Sequence, residues 1–274
     1  MKVVPLAAES LGVRSMATYV EVGPTRVLID PGATLAPARF GLPPSEEEWE
    51  ALRRANDRIS AYAARAEVVF VSHYHEDHFR SDPASYAGRT VLLKDPRRST
   101  AGLQARRAGE LWTALGSVLV LTLADPAEPE RFVFASDVQG PLSPVATAYL
   151  IQERPTLLYL SGPPSYLERE LGAALVERGI ENLLRVIDTT GCRVIMDHYA
   201  LRDTRFAERF ARLWETGAVV TAAGYLGLAD APLEGRRGDA WAAARKPPAR
   251  AGRSRERAMI SRAPKRLAKG GTSA

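Results

Sequence analysis

The sequence holds four histidines, and three of them fall within six residues, in the string His73-Tyr74-His75-Glu76-Asp77-His78. Imidazole nitrogens and a carboxylate packed this closely form the donor set of a borderline-soft divalent ion: Zn²⁺ first, one ion or two, with Fe or Mn as the other candidates. In extended backbone, side chains two apart project to the same side, so His73 and His75 can reach one ion. A helix start after them would throw Asp77 and His78 in another direction, toward a second, adjacent ion. Three more polar residues close apolar runs elsewhere: Asp30 after Arg26-Val27-Leu28-Ile29, Asp137 after Phe134-Ala135-Ser136, and His198 after Cys192-Arg-Val-Ile-Met196-Asp197. Each has a plainer alternative. Asp30 precedes Pro31-Gly32 and also suits an Asx turn, Asp137 before Val138-Gln-Gly-Pro141 suits a turn, and His198 suits a hydrogen-bonded core histidine. Cys192 reads as a packed, inert thiol.

Residues this far apart need a scaffold that gathers strand ends. Short apolar runs at 16–22 and 26–30, joined by Gly23-Pro24-Thr25, predict a hairpin whose second arm ends in Asp30. Ser45 with Glu48 forms a capping pair for a helix running to about residue 66, with Trp49, Leu52, Ile59 and Tyr62 or Ala63 on one face. Residues 67–71 read as a strand buried on both faces that leads straight into the histidine string. Further strands are expected at 90–93, 117–123, 131–135, 156–160, 192–196 and 218–222. Helices are expected at 100–115, from Ser165 to a break near Gly179, from there to Thr190, and at 203–216. No repeat of fixed period is present. In an open α/β arrangement functional groups collect at strand ends, so Asp30, the 73–78 string, Asp137 and His198 are expected along one edge.

Composition narrows the classes. With 274 residues and 46% hydrophobic content, the chain can bury a large core, which excludes wholesale disorder. A single cysteine permits no internal disulfide, and the N-terminal apolar run is broken by Pro5 and Glu9. These features predict a cytoplasmic protein with no membrane partner. The net charge of +5 is uneven. Residues 245–274 carry ten Lys/Arg and one acid, leaving residues 1–244 mildly acidic. This Pro-, Gly- and Ser-rich tail is expected to be disordered, and either merely solvated or in contact with nucleic acid or another polyanion.

The string His73-x-His75-x-Asp77-His78 behind an apolar strand, with Leu28-Ile-Asp30-Pro-Gly32 upstream and Asp137 and His198 downstream, resembles the metallo-β-lactamase superfamily. More narrowly, Glu9-Ser-Leu-Gly-Val-Arg-Ser-Met16, Val71-Ser-His-Tyr-His75, Phe134-Ala-Ser-Asp-Val-Gln-Gly-Pro141, Gly162-Pro-Pro-Ser-Tyr-Leu167, Asp197-His-Tyr-Ala-Leu-Arg-Asp203 and Thr221-Ala-Ala-Gly-Tyr-Leu-Gly227 are similar to an uncharacterised archaeal and bacterial family of metal-dependent hydrolases within it. The resemblance implies a four-layered αβ/βα sandwich over residues 1–230, followed by an extension at 231–244 and the basic tail at 245–274. It assigns His73 and His75 to a first metal and Asp77 and His78 to a second. Asp137 would bridge the two, His198 would complete the second, and Asp30 would be a support behind the ligands.

One ligand is missing from this pattern. The superfamily places a further histidine between the string and the bridging aspartate, and residues 79–197 contain none. Asp82, Asp95 and Asp125 are the alternatives in that interval, and a shortening of the fold there is expected. One firmly held ion beside a weak or empty position follows. The implied activity is hydrolysis of an ester or phosphodiester by a metal-bound hydroxide, with Asp77 as the catalytic carboxylate orienting the water. The alternative is a catalytically impaired homologue that serves as a metal-stabilised binding or scaffold module, on nucleic acid through the tail. Loops 37–44 and 162–164 carry no motif that reads a substrate.

Overall fold

The computed structural model describes residues 1–93 and 119–245. The expected helix at 100–115, the shortening before the bridging aspartate, Asp95 and the basic tail beyond residue 245 lie outside them.

Among the described residues, ten strands form two five-stranded sheets. The first contains β1 (Lys2–Pro5), β2 (Thr18–Val22), β3 (Thr25–Ile29), β4 (Val68–Val71) and β5 (Thr90–Leu93), side by side in chain order. Within it β1, β2 and β3 are antiparallel, whereas β3, β4 and β5 run parallel. The second sheet has the order β10-β9-β8-β7-β6, built from β6 (Val120–Ala124), β7 (Arg131–Ala135), β8 (Leu157–Ser161), β9 (Arg193–Asp197) and β10 (Val219–Val220). Here β6 and β7 form the hairpin and β7 to β10 are parallel.

The period-two alternation of the strands separates three apolar layers. Val20, Val27, Ile29 and Phe70 of the first sheet meet Phe132, Phe134, Tyr159 and Ile195 of the second between the sheets. The opposite faces carry Tyr19, Leu28, Val69 and Val71 toward helix α1 (Glu46–Ala63), and Val133, Leu158, Leu160 and Val194 toward helices α2 (Pro144–Glu153) and α3 (Ala173–Thr190). The result is helix, sheet, sheet, helix: a four-layered αβ/βα sandwich. Among the described residues no helix is long and apolar enough to cross a membrane.

Several local expectations need correction. The α1 capping box forms, but its buried face is Glu48, Ala51, Ala55, Ile59 and Ala63, with Trp49 45% exposed. Alanines at four-residue spacing let α1 lie close on the sheet, and Glu48 turns inward because Arg237 neutralises it. Both of these side chains are fully buried and joined by hydrogen bonds of 2.7 to 3.1 Å. Arg237 opens helix α4 (Arg237–Arg245), so the end of the described chain is fastened onto the first turn of α1.

Ser165 does not cap a helix; its hydroxyl donates to Asp203 Oδ2 at 2.8 Å. The break expected near Gly179 falls at Gly172 instead, in left-handed backbone at φ 84°. Helix α3 runs unbroken through Gly179, where a Cβ would stand 3.0 Å from Pro163 Cγ, so that glycine serves close approach. The stretch expected as one helix at 203–216 is two short turns, Phe206–Arg209 and Ala211–Trp214, and the strand expected at 218–222 gives way to a turn of helix at Ala222.

Candidate metal centre

The carboxyl ends of β3, β4, β7 and β9 deliver the polar residues to one edge of the sandwich. Strand β3 ends at Ile29, and Asp30 follows in left-handed backbone (φ 45°); His198 follows β9 in the same region (φ 59°). Such conformations are costly for side chains with a Cβ, and they aim both residues back across the strand ends. Beyond β4 the chain makes a single turn rather than a helix start: the carbonyl of His75 accepts from the N–H groups of His78 and Phe79 at 2.9 and 2.8 Å. Gly32 lies directly beneath this turn. A Cβ there would stand 2.4 Å from the Phe79 nitrogen and 2.6 Å from that of His78.

His78 and His198 share one construction. Asp30 Oδ2 takes the Nδ1 of the buried His78 at 2.8 Å, and Glu9 Oε2 takes the Nδ1 of the buried His198 at 2.9 Å. A carboxylate on Nδ1 fixes the proton there and leaves Nε2 as the nitrogen that faces the site. The two Nε2 atoms each lie 3.5 Å from Asp137 Oδ1, and they lie 3.9 and 3.7 Å from the oxygens of Asp77. His78 Nε2 is buried without any hydrogen-bond partner. An orphaned imidazole nitrogen facing two carboxylates is what a divalent cation would satisfy, so these residues fit a metal.

His73 and His75 converge beside this group. His73 Nε2 lies 2.9 Å from His75 Nδ1 and 3.4 Å from Asp137 Oδ2. Ser72 orients His73: its hydroxyl donates to Asp30 Oδ2 at 2.6 Å and lies 3.0 Å from His73 Nδ1. Three triplets that could hold an ion overlap here among the described residues: His73–His75–Asp137 and Asp77–His78–His198 side by side, with the Asp137 carboxylate facing both, and Asp30–His73–His78 behind them. Asp82 instead accepts from the Ala84 N–H, and Asp125 from the Ala127 N–H, as turn residues away from the cluster.

The electrostatics are those of a site short of positive charge. Burial alone would lower the His78 pKa, but Asp137, Asp77 and Asp30 push it up to about 10. Burial would raise Asp77, yet His78, His198 and Arg202 bring it down to about 2, and Asp137 is likewise held well below the carboxylate range, with His78 and His73 outweighing burial. Asp197 behaves in the opposite way. Burial and the nearby Glu9 raise it to about 6, while the backbone N–H groups of Ser10, His198 and Ala222 hold it in place at 3.2, 2.8 and 3.0 Å.

Four participants carried no signal of their own in the sequence. Glu9 and Arg202 form a buried ion pair at 2.8 Å behind His198, and Arg202 Nη2 also lies 3.2 Å from His198 Nε2. Tyr199 donates its hydroxyl to Asp137 Oδ2 at 2.8 Å, and Ser72 bridges Asp30 and His73. All four fall inside the segments that carry the family resemblance, and that was the one available pointer.

The fold and the clustered donors define an αβ/βα sandwich whose sheet edge holds a His/Asp site that could take a metal. No family profile matches the chain. A UPF0282 protein of Thermococcus gammatolerans is 36% identical over 287 aligned positions, which span 86% of this chain and 94% of its own. UPF0282 proteins of Pyrobaculum arsenaticum and Methanocaldococcus jannaschii are 35% and 34% identical, spanning 89% and 76% of this chain and 95% and 87% of theirs. The chain belongs to the UPF0282 family. Because 86% of 274 residues falls well short of 287 positions, the Thermococcus relative carries about fifty residues within the matched span that this chain lacks. Among solved structures, an isothiocyanate hydrolase from Delia radicum gut bacteria superposes with a TM-score of 0.46 at 15% identity, over 81% of this chain and 95% of its own.

Proposed function

We propose that the protein is a metal-dependent hydrolase of the metallo-β-lactamase superfamily that cleaves an ester or phosphodiester, with Zn²⁺ as the preferred ion. The observation that carries this reading is the pair of buried imidazoles, His78 and His198. Each has a carboxylate on Nδ1, and both aim Nε2 at one oxygen of Asp137. Structural zinc sites usually have cysteine among their ligands, whereas this edge offers only imidazole and carboxylate. When bound, such an ion activates water near neutral pH and stabilises a developing oxyanion.

The protein's own residues do the rest. Asp77, His78, Asp137 and His198 would hold the firmer ion. His73 and His75 would offer a weaker second position, since Asp137 Oδ2 is already engaged by the Tyr199 hydroxyl. Asp77, deprotonated throughout the neutral range and less enclosed than Asp137, can orient the attacking water and accept its hydrogen bond. Tyr199 stands on the opposite side of Asp137, and its phenol keeps its proton because burial and Asp137 raise its pKa. Its single O–H is donated to Asp137 Oδ2, so it holds that carboxylate in position.

Elemental analysis of the purified protein, with phosphodiester and thioester assays of wild type, His78→Ala and His73→Ala, tests this reading. Expected are close to one ion per chain, loss of ion and turnover in H78A, and retention of most of the ion in H73A. Metal-free wild type with no turnover above the variants refutes it. A second reading, an impaired homologue acting as a metal-stabilised scaffold, is favoured by the residues missing relative to the family. It predicts the same metal content without turnover; any contact of the basic tail with nucleic acid belongs to that reading.

A further inference from the structure

Immediately beside the metal edge opens a cleft of about 410 Å³. Its wall bears five guanidiniums, those of Arg39, Arg169, Arg202, Arg205 and Arg209, against three carboxylates. Two of the three acids are engaged: Glu168 pairs with Arg209, and Asp203 accepts from Ser165. Arg169 and Arg205 are exposed, and neither side chain has an ion-pair partner among the described residues. The cleft therefore presents uncommitted positive charge.

From its mouth to the metal edge, rings and guanidiniums alternate. Phe40 is exposed at a left-handed turn (φ 55°), and Arg39 Cζ lies 4.9 Å from its ring and 5.2 Å from that of Tyr166. Next comes Arg202, with Cζ 5.9 Å from the Tyr166 ring and 4.5 Å from the Tyr199 ring, and the Tyr199 hydroxyl ends on Asp137. The Nε and Nη2 of Arg202 are taken by Glu9, while Nη1 has only a long 3.4 Å contact to Tyr166 Oη. One edge of a buried guanidinium thus serves the metal edge, and the other faces the cleft. Arg39 is similar: Nη2 is tied to the Arg202 carbonyl at 2.9 Å and Nε lies 3.7 Å from Glu234 Oε1, which leaves Nη1 for the cleft.

We propose that this cleft is the substrate's phosphate-recognition site: Arg39 and Arg202 grip a phosphate, Tyr166 and Phe40 flank the group it is attached to, and Arg169 and Arg205 draw the anion in. Each guanidinium leaves Nη1 for the anion, so the two together offer a pair of charged donors, and fixed aromatic faces keep them in orientation. Resting on the hydrolase reading above, this names the substrate class as phosphate-bearing, with the scissile bond reaching past Arg202 to the metal edge.

The test is calorimetric titration of chelator-treated protein with phenylphosphonate, benzoate and benzyl alcohol. The proteins are wild type, Arg39→Gln and the double variant R169Q/R205Q, whose exposed side chains leave the fold intact by thermal melt. Expected are saturable phenylphosphonate binding, at least fivefold weaker binding in both variants, benzoate roughly tenfold weaker than phenylphosphonate, and no binding of the alcohol. No saturable binding, variant affinities equal to wild type, or benzoate binding as tightly as phenylphosphonate would overturn the proposal. Because the titration needs no metal, the two readings separate. Binding lost in the variants without turnover of any ester by the metal-loaded protein sinks the hydrolase and keeps the cleft. Turnover of a phosphodiester with KM unchanged in R39Q and the double variant sinks the cleft and keeps the hydrolase.

Discussion

Asp30→Asn isolates the support behind one ligand without changing side-chain volume. Asp30 Oδ1 accepts from the Ser72 N–H at 2.7 Å, and Oδ2 takes both the Ser72 hydroxyl at 2.6 Å and His78 Nδ1 at 2.8 Å. An amide keeps one oxygen, which stays on the backbone N–H, and sets its NH₂ against His78 Nδ1–H. Asp30 and His78 are both fully enclosed, so no water takes over. The imidazole must therefore move its proton to Nε2, the nitrogen aimed at Asp77 and Asp137. Loss of such a partner typically costs 10- to 100-fold in metal affinity, about 1.4 to 2.7 kcal/mol. Competition for Zn²⁺ against a chromophoric chelator measures the affinity, and far-UV circular dichroism of the metal-free forms checks the fold. Ser136→Ala is the comparison: its hydroxyl lies 3.3 Å from the same nitrogen, and its loss should cost less than threefold, under about 0.7 kcal/mol. A folded D30N that binds zinc within twofold of wild type refutes the argument and returns Asp30 to the role of a strand-tip turn residue.

Gly32→Ala places a Cβ against the backbone of the histidine turn, 2.4 Å from the Phe79 nitrogen. The turn must shift, so a loss of about 1 to 3 kcal/mol in urea unfolding accompanied by weaker zinc binding is expected, and unchanged binding would show the turn to be independent of its support. Arg237→Ala leaves Glu48 as an unpaired, fully buried charge and should cost about 3 to 5 kcal/mol, whereas R237M/E48L should recover most of it; an equally unstable double variant rules out the charge argument. Glu234 supplies a pH dependence away from the metal edge. Burial would raise its pKa, but the Arg14 guanidinium, with hydrogen bonds of 2.6 and 2.7 Å, outweighs burial and holds it below the ordinary 4.5. A lowered carboxylate pKa contributes stability above the unfolded value and loses it as pH falls through the folded one. The deficit of Glu234→Gln in chemical unfolding should therefore be full at pH 7 and shrink as the pH falls below about 4.5, and a pH-independent deficit would exclude the linkage.

The parts of the fold that were legible in the sequence are those written in local periodicity. The β2–β3 hairpin, the capping box of α1 and the run of β4 into the histidine string follow from alternation, cap chemistry and β-branching over a few residues. What was not legible depends on partners distant in the chain. Trp49 looked like the inward residue of α1 because it is large and apolar, yet the inward residue is Glu48, a choice decided by Arg237, 189 positions away. Gly179 looked like a helix breaker because propensity sees only the missing side chain, whereas α3 uses it to lie against Pro163. Loop 37–44 looked featureless, and Arg39 and Phe40 acquire meaning only beside Tyr166 and Arg202. The polar strand ends, Asp30 among them, were visible as residues; the carboxylate behind His198 was not, since Glu9 reaches it from the opposite end of the chain.

The two halves of the metal edge are unequal, and the inequality is built in layers. Behind His78 and His198 stand buried carboxylates, and behind Glu9 stands Arg202, so each imidazole is fixed by a chain of groups that are themselves fixed. Behind His73 stands only a serine hydroxyl already donating to Asp30, and His75 is exposed. The oxygen of Asp137 on that side is spent on Tyr199. A ligand held by a neutral hydroxyl loses the charge reinforcement that raises imidazole basicity, and an exposed one loses rigidity, so both effects weaken the same half. Metal occupancy should therefore follow the support behind the ligands rather than the histidine count of each half, and the contrast between H78A and H73A measures that directly.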